Sequence, residues 1–154
     1  MSAEVPERLR VGGDEISFRL TSAASGGEAI GFEVEMPAGG GPPALHRHPS
    51  LEIYRVEEGK LCLYLGGADG SVERREVGAG EVAFIPPGAE HTIRNESAEP
   101  ARAFVVLAPG AELEEFARAV AELGDAAGPA DVAALASAHG VELTRPLGHD
   151  PGSA

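Results

Sequence analysis

One stretch, residues 40–59, constrains the fold of this chain more than any other. It reads GGPPALHRHPSLEIYRVEEG and places His46, His48 and Glu52 at positions of the same parity. A β-strand turns alternate side chains to opposite faces, with positions i and i+2 about 6.8 Å apart, so in one extended strand all three would point the same way. Imidazole nitrogens and carboxylate oxygens are ligands that a divalent cation accepts. We therefore predict that most of a metal site lies along one strand.

A second stretch, residues 80–95, adds a third histidine. It reads GEVAFIPPGAEHTIRN, and His91 follows its Pro-Pro-Gly turn. A bare H-x-H pattern is a weak signal, because a solvent-facing strand of alternating polar residues also produces it. However, three of the five histidines in the chain fall in these two stretches.

Together the two stretches resemble the two motifs of the cupin superfamily. The first fits G-x5-H-x-H-x3-E-x6-G and the second fits G-x5-P-x-G-x2-H-x3-N, with twenty residues between them. Every defining position is filled, by Gly40, His46, His48, Glu52 and Gly59 and then by Gly80, Pro86, Gly88, His91 and Asn95.

The resemblance implies a fold, a ligand set and a range of activities. The fold would be all-β, a double-stranded β-helix or jelly-roll barrel. His46, His48, Glu52 and His91 would bind one divalent metal ion, which could be Fe, Mn, Ni, Zn or Cu. The activity stays open, because cupins include dioxygenases, isomerases, cyclases, decarboxylases, sugar-modifying enzymes and plain binding proteins.

Composition narrows the class of protein. A chain of 154 residues is long enough for one domain with a real core, and 21 glycines with 12 prolines suit many short strands and tight turns. The net charge of −13 argues against nucleic acid or an anionic membrane as a partner. We find no signal-peptide core and no long apolar run, so we expect a cytoplasmic protein. The single cysteine, Cys62, excludes an intrachain disulfide and is expected to be a small buried hydrophobe.

The hydrophobic period changes near the end of the chain. Short alternating or apolar segments, about eight or nine in all, predict a barrel over roughly residues 9–108. Apolar residues then recur at helical spacing, which predicts two short helices within residues 111–140 that pack outside the barrel. We expect residues 1–154 to form a single domain with a frayed tail at 148–154. His139 and His149 have no partner at ligand spacing and are given no chemical role.

Three functions remain open at this point. The first is a metal-dependent enzyme that oxidises a small organic substrate with dioxygen, since small bacterial cupins similar to this one are often likened to quercetin dioxygenases. The second is a redox-neutral isomerase, cyclase or lyase, and the third is a binding barrel with a structural metal. Glu52 could be a ligand only or also a general base, and Tyr54 should face inward beside it as a catalytic residue or a core tyrosine. Strands that are apolar on both faces predict a homodimer.

Overall fold

The computed structural model of the chain describes residues 7–126 and 128–147. Its strands are short and numerous, as the frequent glycines and prolines predict. They are β1 Arg8–Val11, β2 Asp14–Leu20, β3 Ile30–Met36, β4 Ala44–Arg47, β5 Leu51–Glu58, β6 Lys60–Gly66, β7 Val72–Gly78, β8 Val82–Ile85, β9 His91–Arg94, β10 Ala101–Ala108 and β11 Glu142–Pro146. The helices are α1 Ser22–Ser25, α2 Ala111–Leu123 and α3 Pro129–Ala138, and a 3-10 turn at Gly124–Ala126 follows α2.

The strands form two antiparallel sheets, and this confirms the all-β jelly-roll class. One sheet has six strands in the order β1-β2-β3-β10-β5-β8, and the other has five in the order β11-β4-β9-β6-β7. From β3 onward the chain crosses repeatedly between the sheets, so strands far apart in sequence become neighbours, as in the pairing of β3 with β10. The inward side chains of both sheets make one apolar core.

The charged segment after the turn at residues 66–70 lies at a solvent-exposed edge of a sheet. It forms β7, which is an edge strand of the five-stranded sheet, and five of its seven residues are exposed. Edge strands with charged side chains resist pairing with other chains. By contrast, its neighbour β6 carries the apolar run that includes Leu61, Cys62 and Leu63, all of them buried.

Two elements were not expected from the sequence. The short helix α1 lies between β2 and β3, and the strand β11 follows α3 and pairs with β4. The expected barrel end near residue 108 therefore missed a strand that returns to the sheet. Its sequence, ELTRP, has a polar composition and a proline that suit an edge strand and give little hydrophobic signal. The single-domain assignment over 1–154 stays a prediction, and the expected frayed tail lies outside the described residues.

The two predicted C-terminal helices are present. Helix α2 buries Leu113 and Val120, while Leu123 at its end is 39% exposed. Its first turn carries Glu112 and Glu114, which favour the positive end of the helix dipole. None of the helices among the described residues is long and apolar enough to cross a membrane.

A glycine loop at residues 39–41 is fastened to the end of β9 and closes the barrel beside the site described below. The Gly39 N–H donates to the Asn95 carbonyl at 2.8 Å, and the Asn95 N–H donates to the Gly40 carbonyl at 3.0 Å. The Asn95 side chain also donates to the Met36 carbonyl at 3.0 Å. The motif residues Gly40 and Asn95 thus stabilise the backbone of this loop, and their role is structural rather than ligand-binding.

We predict that Gly41→Ala destabilises the protein far more than Gly70→Ala. Both glycines have positive φ, +104° and +85°, but an added Cβ would lie 2.3 Å from the Ile93 carbonyl oxygen at position 41 and in open space at position 70. Positive φ alone costs an alanine about 1–2 kcal/mol, and the clash adds to that at position 41. Urea unfolding of both variants measures the difference, and equal losses of stability would contradict the clash.

Candidate metal centre

The histidines converge because two strands pair at their positions. His46 in β4 and His91 in β9 are register partners across the five-stranded sheet. His48 follows the last residue of β4 directly, and Glu52 lies in β5, in the other sheet. The four side chains predicted as ligands therefore reach one place from both sheets.

The expectation that His46, His48 and Glu52 lie along one strand is wrong. The chain leaves β4 after Arg47 and turns before β5 begins at Leu51. Proline at position 49 lacks the N–H that would continue a strand ladder, which accounts for the break. The shared parity was therefore not the reason that the side chains meet.

The three imidazoles form a compact cluster in which His48 and His91 are buried and His46 is partly buried. One nitrogen from each of His46, His48 and His91 lies within 4.8 Å of the other two. The His46 and His91 ring centroids are 4.5 Å apart, and those of His48 and His91 are 5.0 Å apart. The Glu52 Oε2 atom lies 3.1 Å from Nε2 of both His48 and His91. The three histidine nitrogens thus all lie close to one another, and Glu52 contacts two of the histidines, His48 and His91.

Backbone carbonyls orient all three rings in the same way. The Nδ1 atom of His46 is 3.0 Å from the Ala44 carbonyl oxygen, and Nδ1 of His48 is 3.0 Å from that of Ser50. Nδ1 of His91 is 2.8 Å from the Ala89 carbonyl oxygen. A carbonyl only accepts, so each Nδ1 carries the proton and each Nε2 offers a lone pair to the centre of the cluster. This arrangement is typical of metal-binding histidines.

The donor set fits a divalent metal ion. With Nδ1 protonated, the Nε2 lone pairs of His48 and His91 would face the Glu52 carboxylate oxygen, which also only accepts. An extra proton or a cation between them relieves this conflict. Two ligand atoms at about 2.1 Å from a metal lie roughly 3 to 3.5 Å apart, and the 3.1 Å separations at Glu52 agree with that spacing.

The charges of Glu52 and its neighbouring histidines shift one another's pKa values. Burial alone raises the pKa of Glu52, but the hydrogen bonds from His48 and His91 outweigh it and hold the pKa below its ordinary value. Burial lowers the pKa of His91, yet the Glu52 carboxylate reverses this and leaves it raised. Burial and the neighbouring His91 charge lower the pKa of His46 to about 4. Glu52 therefore stays ionised, and His91 binds a proton at a higher pH than His46 does.

The cluster lies in the wall of a largely apolar cavity of about 160 Å³. A cavity of roughly 150 Å³ accommodates benzene, so the space suits a small organic molecule. Tyr54 is buried, shares the inward face of β5 with Glu52 and lines this cavity, as its parity predicted. Burial, and then the Glu52 carboxylate, raise the pKa of Tyr54 well above its ordinary value. The Tyr54 phenol is therefore a proton donor and not a base at neutral pH.

Sequence reasoning missed one polar residue of the cavity, Asp14. It lines the cavity at the start of β2, and its Oδ1 is the one buried side-chain oxygen or nitrogen without a hydrogen-bond partner among residues 7–126 and 128–147. Burial raises the pKa of Asp14 to about 6, although the Gly41 amide and Arg94 lower it. A lone aspartate in a polar segment such as GGDEIS gives no motif from which this position could be recognised.

His139 and Cys62 do not contribute to the cluster. His139 lies 3.7 Å from Glu112 and 3.8 Å from Glu115, so it has acidic neighbours that the sequence spacing did not suggest. Those two carboxylates are about two-thirds exposed, and the contact carries no functional conclusion. Burial raises the pKa of Cys62 to about 11, which agrees with an unreactive thiol. His149 lies outside the described residues.

Residues 32–107 match the sequence profile of the family described as "Cupin domain". Among solved structures, the chain is similar to a recombinant oxalate oxidase in complex with glycolate, at 27% identity and a TM-score of 0.54. That match covers 64% of this chain and 52% of the oxidase, so this chain spans about half the length of that relative. No curated protein matches the chain significantly.

Two further structures share the fold. A predicted oxalate decarboxylase from Thermotoga maritima matches at 24% identity and a TM-score of 0.56, over 68% of this chain and 91% of that one. The polyketide cyclase RemF from Streptomyces resistomycificus matches at 24% identity and a TM-score of 0.57, over 71% and 80%. At this identity the two matches establish the fold and no more.

We predict that His48→Ala and His91→Ala each abolish stoichiometric metal binding, whereas His139→Ala does not. The first two variants remove a nitrogen from the buried cluster, and the third removes one from the surface. Loss of a bound metal also lowers the melting temperature in the presence of metal. Elemental analysis of the three purified proteins gives the answer, and unchanged metal content in His91→Ala would refute the ligand assignment.

We also predict that metal affinity falls as the pH decreases below neutrality. Protonated imidazole cannot bind a metal, and the raised pKa of His91 means that this residue takes up a proton at a higher pH than His46. The pKa of His46 is lowered to about 4. Each proton that competes lowers the affinity by about tenfold per pH unit. Zinc dialysis between pH 8 and pH 5 measures this, and an unchanged affinity at pH 5 would contradict imidazole ligation.

Proposed function

We propose that this protein belongs to the cupin superfamily, whose domain profile matches residues 32–107, and that it is a metal-dependent enzyme that acts on a small organic substrate. One observation carries the proposal. Three imidazoles with aligned Nε2 atoms and one carboxylate converge at the wall of a small apolar cavity. A site of this kind is both a cation site and a ligand site.

His46, His48, Glu52 and His91 would hold the metal ion. Three neutral imidazoles and one carboxylate leave a divalent ion with a net charge of about +1 and with open coordination positions, so it would supply Lewis-acid or oxygen-activating chemistry. The backbone carbonyls of Ala44, Ser50 and Ala89 accept from the imidazoles and so fix the orientation of the three rings. Metal identity is not set by this donor set, because Fe, Mn, Ni, Zn and Cu all accept it.

The residues around the ion have separate tasks in this proposal. The Tyr54 phenol keeps its proton and can donate it, or a hydrogen bond, to an oxygen of the substrate. Glu52 stays ionised and can act as a ligand, or as a base if it leaves the metal when substrate binds. The largely apolar walls offer few polar groups that would compete for the substrate within the cavity.

Oxidation by dioxygen is the subtype that we propose first. The similarity to an oxalate oxidase at 27% identity supports it, although this chain spans only about half of that protein. The cavity volume of about 160 Å³ favours substrates nearer to benzene than to a polycyclic flavonoid in size. The quercetin-dioxygenase comparison therefore applies to the type of chemistry and not to the size of the substrate.

A redox-neutral reaction is the second candidate. Tyr54 and Glu52 form a pair with opposite protonation preferences, a raised pKa beside a lowered one, which is an arrangement that isomerases and lyases use to move protons. The third candidate, a binding barrel, would keep the metal as a link between the two sheets through Glu52.

We predict that turnover of a small hydroxy acid or diol requires both bound metal and dioxygen. Substrate loss and oxygen uptake are measured together, in air and under anaerobic conditions, with His91→Ala as the metal-free control. Turnover that is equal with and without oxygen would favour the redox-neutral candidate. A metal that only raises the melting temperature, with no small molecule bound near it, would favour the binding barrel.

We propose that the protein is a homodimer formed through the outer face of the six-stranded sheet. Register partners place an apolar row across five strands, made of Leu20, Gly31, Val106, Ile53 and Phe84. Phe84 is 51% exposed. The adjoining row places Phe104 between Glu33 and Arg55, so a two-fold axis that passes near Phe104 parallel to the strands would bring opposite charges of the two copies together. We further propose a cytoplasmic location.

We predict that Phe84→Glu converts the dimer to a monomer, because the substitution introduces an unpaired charge into a buried interface. Val72→Glu is the matched control, since Val72 is also exposed but lies in β7 of the other sheet. Light scattering of the three proteins at working concentration measures the mass. A monomeric mass for the unsubstituted chain would end the proposal.

A further inference from the structure

The inward rows of the six-stranded sheet place Asp14 away from the metal ligands. Glu52 shares a row with Leu107, and Tyr54 shares the next row with Val105, Phe32 and Phe18. The row after that continues through Val34 to Ile16, and Asp14 precedes Ile16 by two residues, so it begins the following row. Asp14 and the imidazoles therefore line the same cavity from different rows, with Tyr54 and apolar side chains between them.

The surroundings of Asp14 do not satisfy its carboxylate. The Oδ1 atom is buried and has no hydrogen-bond partner among the described residues, and a Cβ on Gly40 would lie 2.9 Å from it. The charged group that faces Asp14 is Arg94 from β9, which donates to the Gly39 carbonyl at 2.9 Å. The titratable group that faces it is the neutral phenol of Tyr54 from β5, whose pKa the Asp14 charge helps to raise. A buried carboxylate without its full set of partners destabilises a protein, and such groups are found where a ligand completes them.

We infer that Asp14 determines substrate specificity, by binding an ammonium or hydroxyl group of a substrate whose other end reaches the histidine cluster. The inference rests on the proposed function for the position of the metal-binding end. It adds the class of substrate: a narrow molecule with an apolar middle, metal-binding oxygens at one end and a hydrogen-bond donor at the other. The carboxylate accepts from that donor, and apart from the Tyr54 phenol the walls between the two ends are largely apolar.

A structural role for Asp14 predicts a different outcome. If the carboxylate served only to hold the glycine loop at residues 39–41 through the Gly41 amide, its removal would lower stability. If it is a ligand-binding group, its removal relieves an unfavourable burial and raises stability in the absence of ligand. Because the folded pKa of about 6 lies above the unfolded value of 3.8, the unfavourable contribution is complete above pH 6 and absent below pH 3.8.

The first experiment needs no metal. Melting temperatures of metal-free wild type, Asp14→Asn and the control Glu15→Gln are compared at pH 8 and pH 3.5. Glu15 is the adjacent, outward carboxylate that pairs with Arg8 on the surface at 3.2 Å. We expect Asp14→Asn to melt several degrees higher than wild type at pH 8 only, and Glu15→Gln to stay within about one degree. A lower melting temperature for Asp14→Asn at pH 8 would overturn the inference in favour of a structural role.

The second experiment uses straight-chain hydroxamates with two to six methylenes that end in methyl, hydroxyl or ammonium, bound to the zinc-loaded protein. Calorimetry at pH 8 should show one chain length at which wild type prefers ammonium and hydroxyl over methyl by tenfold or more. Asp14→Asn should lose the ammonium preference and keep part of the hydroxyl preference, and Asp14→Leu should lose both. An ammonium preference that persists in Asp14→Leu, or is absent from wild type at every length, would overturn the inference.

The two experiments separate this inference from the proposed function. If the hydroxamates bound wild type and both variants equally, the metal site would be supported and Asp14 would have no role in binding the ligand. If wild type failed to bind zinc, the proposed metal-dependent function would be refuted. The melting temperatures of the metal-free proteins would still show whether the Asp14 carboxylate destabilises the folded protein.

Discussion

The contact of two imidazoles with one carboxylate oxygen is the interaction on which the site depends. Glu52 belongs to the six-stranded sheet, whereas His91 belongs to the five-stranded sheet and His48 to the turn after its strand β4. An ionised carboxylate in an apolar interior needs partners of opposite charge, since its burial alone costs several kcal/mol. At Glu52 a proton or a cation between the carboxylate oxygen and the two Nε2 atoms supplies that charge, and the 3.1 Å contacts join the two sheets at one point. The same contacts explain why one pKa in the cluster falls while another rises.

Backbone groups, more than side chains, give the cluster its precision. Each Nδ1 faces the carbonyl of a residue two positions away, so the local chain path orients its own imidazole. This is a short-range constraint that each strand end carries by itself. The long-range constraint is the pairing of β4 with β9, which brings His46 opposite His91. Together they place three lone pairs in one region before any ion binds, and this preorganisation reduces the free energy needed to form the site.

The motif glycines and the motif asparagine have a different task from the motif histidines. Asn95 and the glycine loop exchange backbone hydrogen bonds, and the space beside Gly40 is taken by Met36 and by the Asp14 carboxylate. A side chain at position 40 would therefore press on a residue that lines the cavity. The position of the Asp14 carboxylate, which belongs to neither motif, therefore depends on the absence of a side chain at the motif residue Gly40. The apolar cavity thus has two polar regions, one built by the motif histidines and the other by a single aspartate.

Periodicity, parity and the resemblance of the two motifs were enough to predict the class of fold, the three clustered histidines and the inward position of Tyr54, because these are local properties of the chain. The arrangement of the strands in space was needed to show that the predicted ligands come from two sheets, that β11 returns to pair with β4, and that Asp14 faces the cavity. These depend on which strands become neighbours in space, and sequence separation carries little information about that, because hydrogen-bonded ladders form between any two compatible edges.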